Sequence, residues 1–180
     1  MGERALKLVE REPDEAVPAG AVSPDAFLHA MRGVAASVVV VTTDGPAGRF
    51  GATVSSFTSV SVAPPTVLVC LDAASRIARA VRGNGRFAVN VLSVKQEDLA
   101  GRFAGRDDAV LADRFAGVKW SAEPCGAPAL AGSGVLVCRL DAASRVATHD
   151  VCFGVVEHVR AGRDAPLAYL DRRFSRVAPL

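Results

Sequence analysis

The stretch GATVSSFTSVSVAPPTVLVCLD, residues 51–72, carries hydroxyls at Thr53, Ser55, Ser56, Thr58, Ser59 and Ser61 in a segment that otherwise has the composition of a core strand. A buried hydroxyl without a partner costs on the order of 1–3 kcal/mol, so these groups need something to bond. Two answers are open at this point. The segment can be an edge strand that faces water or forms cross-strand Ser/Thr pairs. Alternatively, its hydroxyls can meet the edge of a flat heterocycle with alternating donors and acceptors, held by small uncharged side chains and close backbone amides. Ser59 and Ser61 are assigned the structural role. Next to this segment, Pro64–Pro65 impose a turn and TVLVCLD runs into Ala73-Ala74-Ser75-Arg76. Ser75 is placed to cap a helix whose free N–H groups and dipole attract a phosphate, with Arg76 beside them. Most Ser-capped helices bind no anion; this one gains weight from lying one strand away from the hydroxyls.

The elements that must position these groups follow from the pattern of the chain. Ser23 is a good N-cap, Pro24 suits the first helical position, and Phe27, Leu28 and Met31 lie three or four apart before Gly33, which predicts a short amphipathic helix. Apolar, β-branched runs at 36–43, 51–62, 66–71, 86–92, 134–143 and 149–161, with a short one at 166–170, predict strands. Helical patterns occupy about 75–82, closed by Gly-Asn-Gly, and 94–104. Strands that follow one another with only two intervening helices favour a mainly antiparallel barrel over a doubly wound parallel sheet. LDAASRIA at 71–78 recurs as LDAASRVA at 140–147, once opening a helix and once between strands, and is read as coincidence, not as a repeat.

With 180 residues and 50% hydrophobic content the chain suits one domain, over 23–180, preceded by a charged, Pro- and Gly-bearing segment at 1–22 that is expected to be a mobile tail. The formal charge of +2 is scattered singly, which argues against nucleic acid. The N-terminus has no apolar stretch for a signal peptide, and the longest apolar run, 33–41, is far short of the ~20 residues a membrane helix needs. A cytoplasmic protein with no membrane partner is expected. Cys70, Cys125, Cys138 and Cys152 show no CxxC spacing and are expected as free thiols, largely buried; His29, His149 and His158 form no metal-ligand pattern.

The runs GATVSSFTSVSVAPPTVLVCLDAASR, GRFAVNVLSVKQEDLAGRFA, DRFAGVKW, CGAPALAG and THDVCFGVVEHV, in this order and without large gaps, resemble the short-chain flavin reductase family, the reductase components of two-component flavin-dependent monooxygenases. The resemblance spans Phe27 to Phe174, and YLDRRF near its end is similar to reductases serving actinomycete aromatic polyketide pathways. It implies a homodimeric, flavin-binding split β-barrel, antiparallel and of Greek-key type with short flanking helices, that binds FMN or FAD and oxidises NADH or NADPH. By position, Gly51, Ala52, Thr53, Val54, Ser55 and Ser56 match the segment lining the isoalloxazine ring and ribityl chain. Cys70, Leu71 and Asp72 match the strand end beside the flavin, and Ser75 and Arg76 its phosphate end. Phe87 matches an aromatic position near the ring, though its run reads equally as core. His149 matches the histidine of the family's Gly-Asp-His segment, where the nicotinamide approaches; on its own it reads as an exposed hairpin histidine. That segment is Ala147-Thr148-His149 here, the family's Pro-His-Gly is Pro124-Cys125-Gly126, and the final aromatic pair is Tyr169-Leu170. These departures fall on the nicotinamide side.

No GxGxxG follows a strand and opens a helix, so a Rossmann subdomain is not expected and the nicotinamide must stack directly on the flavin. Hydride transfer needs no acid or base of its own, so no catalytic residue is assigned beyond positioning groups. The resemblance further implies that reduced flavin diffuses to a partner monooxygenase. A non-catalytic flavin carrier and a self-contained flavin oxidase on the same barrel are the alternatives.

Overall fold

Runs of β-branched residues, broken by Gly, Pro, Asn and Asp, fold as short antiparallel strands because branched side chains pack well on a pleated surface. The structure is a computed structural model and describes residues 9–10, 20–123 and 125–179. In chain order it contains β1 (Val9–Glu10), α1 (Pro24–Met31), β2 (Ala36–Ser37), β3 (Val39–Thr43), β4 (Phe50–Val54), β5 (Phe57–Val62), β6 (Pro65–Asp72) and α2 (Arg76–Asn84). There follow β7 (Arg86–Val91), α3 (Glu97–Phe103), β8 (Trp120–Ala122), β9 (Pro128–Leu130), β10 (Gly134–Val146), β11 (His149–Arg160), β12 (Leu167–Leu170) and β13 (Arg173–Arg176).

The main sheet runs β4-β3-β7-β10-β11-β6-β5, every neighbouring pair antiparallel. Its two edge strands, β4 and β5, are separated in the chain by Ser55 and Ser56 alone. Strands at opposite ends of a sheet can be joined by so short a link only if the sheet curls until its edges meet, and the result is a split β-barrel. The crossover through α2 carries the chain from β6 to β7, past the places that β10 and β11 later fill, an order of Greek-key type. Most of the tail expected over 1–22 lies outside the described residues; Val9–Glu10 pair in parallel with Ser144–Arg145 of β10.

Alternation along β3 divides the core. Val39 and Val41 face the barrel interior with Val69, Leu71, Phe87, Val89 and the α2 residues Ile77 and Val81. Val40 faces a second cluster with Leu92, Leu130 and the α3 residues Ala100 and Phe103. Helix α1 begins as its sequence predicts: Ser23 accepts the Ala26 N–H at 3.2 Å and Pro24 opens the helix. It buries no residue, however, and Phe27, Leu28 and Met31 are 55%, 59% and 45% exposed.

Three expectations shift. The run 51–62 is two strands, not one, with a bend at Ser55-Ser56; the run 36–43 divides into β2 and β3; and α2 continues through Asn84 before Gly85, at φ 67°, caps it. The hexapeptide LDAASR takes two structures. At 71–76 it ends β6 and starts α2; at 140–145 it remains in β10 throughout, so tertiary context overrides local propensity.

Candidate functional site

Ser55 and Ser56 lie exposed at the seam where the barrel's edges meet. The bend is stapled to β6 near its C-terminal end: the Cys70 N–H donates to the Ser56 carbonyl at 3.1 Å, and the Ser56 hydroxyl donates to the Cys70 carbonyl at 3.0 Å. The hydroxyl of Thr53 donates to the Ala100 carbonyl of α3 at 2.7 Å. A carbonyl can only accept, so both hydroxyl protons are committed inward and these oxygens offer acceptor lone pairs to the outside. Among the described residues, the Ser55 hydroxyl has no protein partner and remains able to donate.

From the other direction β6 delivers Asp72. Its carboxylate accepts the Ala74 N–H at 2.8 Å, and its carbonyl accepts the Ser75 N–H and hydroxyl at 3.0 and 2.5 Å. Ser75 in turn accepts the Ala78 N–H at 3.2 Å as the N-cap of α2. This tight turn leaves the N–H groups of Arg76 and Ile77 at the open end of the helix. The Arg76 guanidinium lies 5.9 Å from the centre of the Phe50 ring and forms no hydrogen bond or salt bridge with the described residues. Opposite Asp72 stands His149, the first residue of β11, with Nδ1 2.9 Å from the Thr148 hydroxyl. The Ala73 N–H, donating to the Thr148 carbonyl at 3.0 Å, ties the hairpin tip to the turn before α2.

A cleft of about 310 Å³ results, lined by Ala52, Thr53, Val54, Ser55, Ser56, Cys70, Leu71, Asp72, Ser75, Ile77 and His149. Ten of the thirteen sequence-predicted site residues therefore share one cavity. Gly51 and Arg76 line a second cleft of about 760 Å³ that continues the first through Ala52, Ser75 and Ile77. Gly51 has a packing reason of its own, because a Cβ there would stand 2.6 Å from the Phe103 ring. Phe87 is elsewhere. It is fully buried in the barrel core, its ring filling the space a Cβ on Gly154 would need, so it supplies no surface to the cleft.

The larger cleft has a wall that sequence reading missed, made by Arg49, Phe50 and the segment from Asp108 to Phe115. Arg114 anchors it, donating to the Phe103 carbonyl at 2.7 Å and the Gly51 carbonyl at 3.2 Å while pairing with Asp108. The hydrogen bonds from Arg114 hold the Asp108 carboxyl below its ordinary range against a smaller desolvation effect, and the charges of Arg114 and Arg76 act the same way. Arg49 pairs with Asp113 at 3.0 Å and lies over the Phe115 and Trp120 rings. The run DRFAGVKW contains Arg114 and Phe115, but it lies in a segment without helical or strand periodicity, so nothing local gave these residues a direction.

Burial pushes the Cys70 thiol up, only partly offset by its contact with Ser56, so a neutral thiol lies beside the cleft. Cys138 and Cys152 are pushed up to about 12, first by burial, and all four cysteines are free. Among the described residues no three His, Cys, Asp or Glu side chains gather as a metal site, and no helix is long and apolar enough to cross a membrane.

The lining fits a flat heterocycle carrying a phosphate tail. Ala52 leaves room for close approach, Ser56 offers an acceptor, Ser55 offers a donor, and a capped helix end with the Arg76 guanidinium, which has no hydrogen-bond or salt-bridge partner among the described residues, lies further along. Comparison with known proteins agrees with this chemistry. A family model described as a flavin reductase-like domain matches residues 31–178. The FMN reductase (NADH) RutF of Ancylobacter novellus is 42% identical over 165 residues, 91% of this chain and 90% of the relative. The NADH:FAD oxidoreductase SgcE6 of Streptomyces globisporus, solved with NAD and FAD fragments, superposes with a TM-score of 0.79 at 30% identity, covering 89% of this chain and 98% of its own. BorF, the flavin reductase component of a bacterial two-component tryptophan halogenase, superposes with a TM-score of 0.79 at 26% identity, covering 88% of this chain and all of its own.

Proposed function

The chain belongs to the flavin reductase-like domain family, and on that premise we propose that it is an NADH-dependent flavin reductase whose flavin lies along the barrel seam and whose nicotinamide enters from the His149 side. The observation that carries this reading is one cavity holding the seam hydroxyls, the β6 end, the capped start of α2 and His149 together. Flavin, when bound, supplies the acceptor for a hydride from the nicotinamide; the protein's part is to orient both partners and to stabilise charge growing on the ring edge.

Each residue has a distinct share. Ser55 donates to the ring edge and Ser56 accepts from it, while the Thr53 hydroxyl ties the seam to α3. Arg76 and the first N–H groups of α2 receive the flavin phosphate. Thr148 orients the His149 ring, and His149 forms the wall against which the nicotinamide is placed. No side chain in the cleft has to transfer a proton. The larger cleft next to Arg76 leaves both FMN and FAD as candidates. The hydride donor is NADH, by analogy with the RutF relative, with NADPH the competitor to be tested.

Two further features belong to this reading. The protein forms a homodimer, since α1 has no buried residue and exposes Phe27, Leu28 and Met31. It acts in the cytoplasm and releases reduced flavin to a separate monooxygenase, a role supported by the two-component system in which BorF works. The deciding experiment is a steady-state assay of NADH and NADPH oxidation against FMN, FAD and riboflavin. NADH oxidation that depends on added flavin, with flavin removed by dialysis, is the expected result. Flavin that stays bound through extensive dialysis would favour an oxidase, and tight binding without any reduction would favour a carrier.

A further inference from the structure

Asp150 follows His149 directly, yet its side chain points the other way, into the protein, and is only 2% exposed. It sits between two arginines from different elements. Arg82 of α2 donates to it through Nε at 3.0 Å and Nη2 at 2.7 Å, a bidentate grip, and Arg145 of β10 donates through Nε at 2.6 Å. Arg145 is also its cross-strand partner on the last rungs before the hairpin turn. Arg82 lies seven residues after the Ser75 cap, about 10 Å along the helix at 1.5 Å per residue. One carboxylate thus holds the shaft of the helix whose tip lines the anion end of the cleft and the hairpin whose tip carries His149. The ladder with β6 reaches the tip at His149, opposite Asp72, and beyond it the ties are few: Val146 to His149 are exposed, Ala147 has φ 48°, and the Ala73–Thr148 bond joins the tip to the α2 turn.

We propose that Asp150 is a positioning residue for the nicotinamide: by clamping Arg82 and Arg145 together it fixes the His149 hairpin tip relative to α2 and so sets the width of the cleft on that side. This rests on reading the cleft as the flavin and nicotinamide seat. The flavin seat at Ser55, Ser56 and β6 is held by other bonds, and the start of α2 that faces the phosphate is fixed by the Asp72–Ser75 turn, so neither depends on the clamp.

The test compares Asp150→Asn, Arg82→Lys and the core control Val40→Ala with the parent enzyme. Breaking a buried pair can prevent folding, and Arg82→Lys guards against this, because it keeps the charge and loses only the bidentate grip. Four quantities are read: melting temperature, FMN affinity by fluorescence quenching, KM and kcat for NADH, and amide exchange at 146–149 in the flavin-free protein. Both clamp variants are expected to raise KM for NADH about tenfold, to exchange faster at 146–149, and to keep FMN affinity within about twofold. Val40→Ala should melt lower with none of these changes. A clamp variant that only melts lower, as the control does, overturns the proposal, as does one that loses FMN affinity and NADH KM in equal measure. Parent enzyme that reduces no flavin would fail the functional reading itself, while faster exchange at the tip would still register the clamp.

Discussion

Thr53→Val and Ser55→Ala each remove one hydroxyl from the same short segment, yet their expected outcomes are opposite. The Thr53 hydroxyl is half-buried and donates to the Ala100 carbonyl at 2.7 Å. Valine matches its shape, and that carbonyl keeps the Ala104 N–H at 3.0 Å, so no acceptor is orphaned. The loss is then that of one net hydrogen bond, about 1 kcal/mol, and not the larger cost of an unsatisfied buried group. For a chain of this size, that lowers the melting temperature by roughly 2–4 °C. FMN affinity should barely change. The Ser55 hydroxyl is exposed and bonds nothing in the described protein, so Ser55→Ala should leave the melting temperature within about one degree, as surface changes do. If that hydroxyl donates to the flavin edge, its removal costs about 1 kcal/mol of binding, roughly fivefold in Kd. It costs more in turnover if the bond strengthens as the ring gains charge. Scanning fluorimetry of the flavin-free protein, FMN quenching and NADH oxidation on the two variants read all three quantities. A Ser55→Ala protein that melts several degrees lower and binds FMN normally would refute the reasoning. So would a Thr53→Val protein that loses FMN affinity with its melting point intact.

Arg76→Ala should weaken FMN about tenfold, near 1.4 kcal/mol, while riboflavin, which has no phosphate, changes little; equal losses would mean that Arg76 acts through folding. Ala147 holds φ 48°, a conformation that disfavours any residue with a Cβ. Ala147→Gly in the hairpin turn should therefore leave stability unchanged or raise it by up to about 1 kcal/mol, whereas Ala143→Gly inside β10 should lower the melting temperature. Desolvation pushes the Asp150 carboxyl up, but hydrogen bonds and charge from Arg145 and Arg82 outweigh it and leave the carboxyl below its ordinary range. A group lowered in the folded state contributes stability that is complete above its unfolded value, about 4, and is lost as the pH falls through the folded value. Melts from neutral to acid pH should show the gap between the parent protein and Asp150→Asn closing below about pH 4; a gap that stays constant would contradict the pairing.

Local chemistry was readable where one or two residues decide it. Ser23 with Pro24, and Ser75 before Ile77-Ala78, announced helix starts, and the structure bears both caps out with side-chain hydrogen bonds. The hydroxyl-rich run signalled a polar site because hydroxyls in a strand require partners. It did not reveal the bend at Ser55-Ser56, since that break exists only because β4 and β5 close opposite edges of one sheet. Phe87 shows a second limit: RFAVNVL reads the same whether its aromatic faces a ligand or the interior, and only the glycine at position 154 across the sheet decides it. Asp150 was visible as a carboxylate after His149, but Arg82 lies 68 residues away, and no spacing rule connects them. The wall from Asp108 to Phe115 lacks periodicity and is placed by Arg114 bonding to distant carbonyls.

A barrel closed all round admits a molecule only through its ends, whereas here a long side is open as well, along the line where β4 gives way to β5 across two exposed serines. Anything lying across that line can leave sideways past surface side chains, whose rotations take picoseconds to nanoseconds, and no strand has to unpair. For a flavin seated as proposed, residence time depends on contact strength at the ring edge and phosphate end, not on the frequency with which a gate opens. On that reading, in which the cargo arrives oxidised and departs reduced, throughput and affinity are set by the same few hydrogen bonds, so substitutions that tighten binding at Ser55 or Arg76 should slow release in proportion.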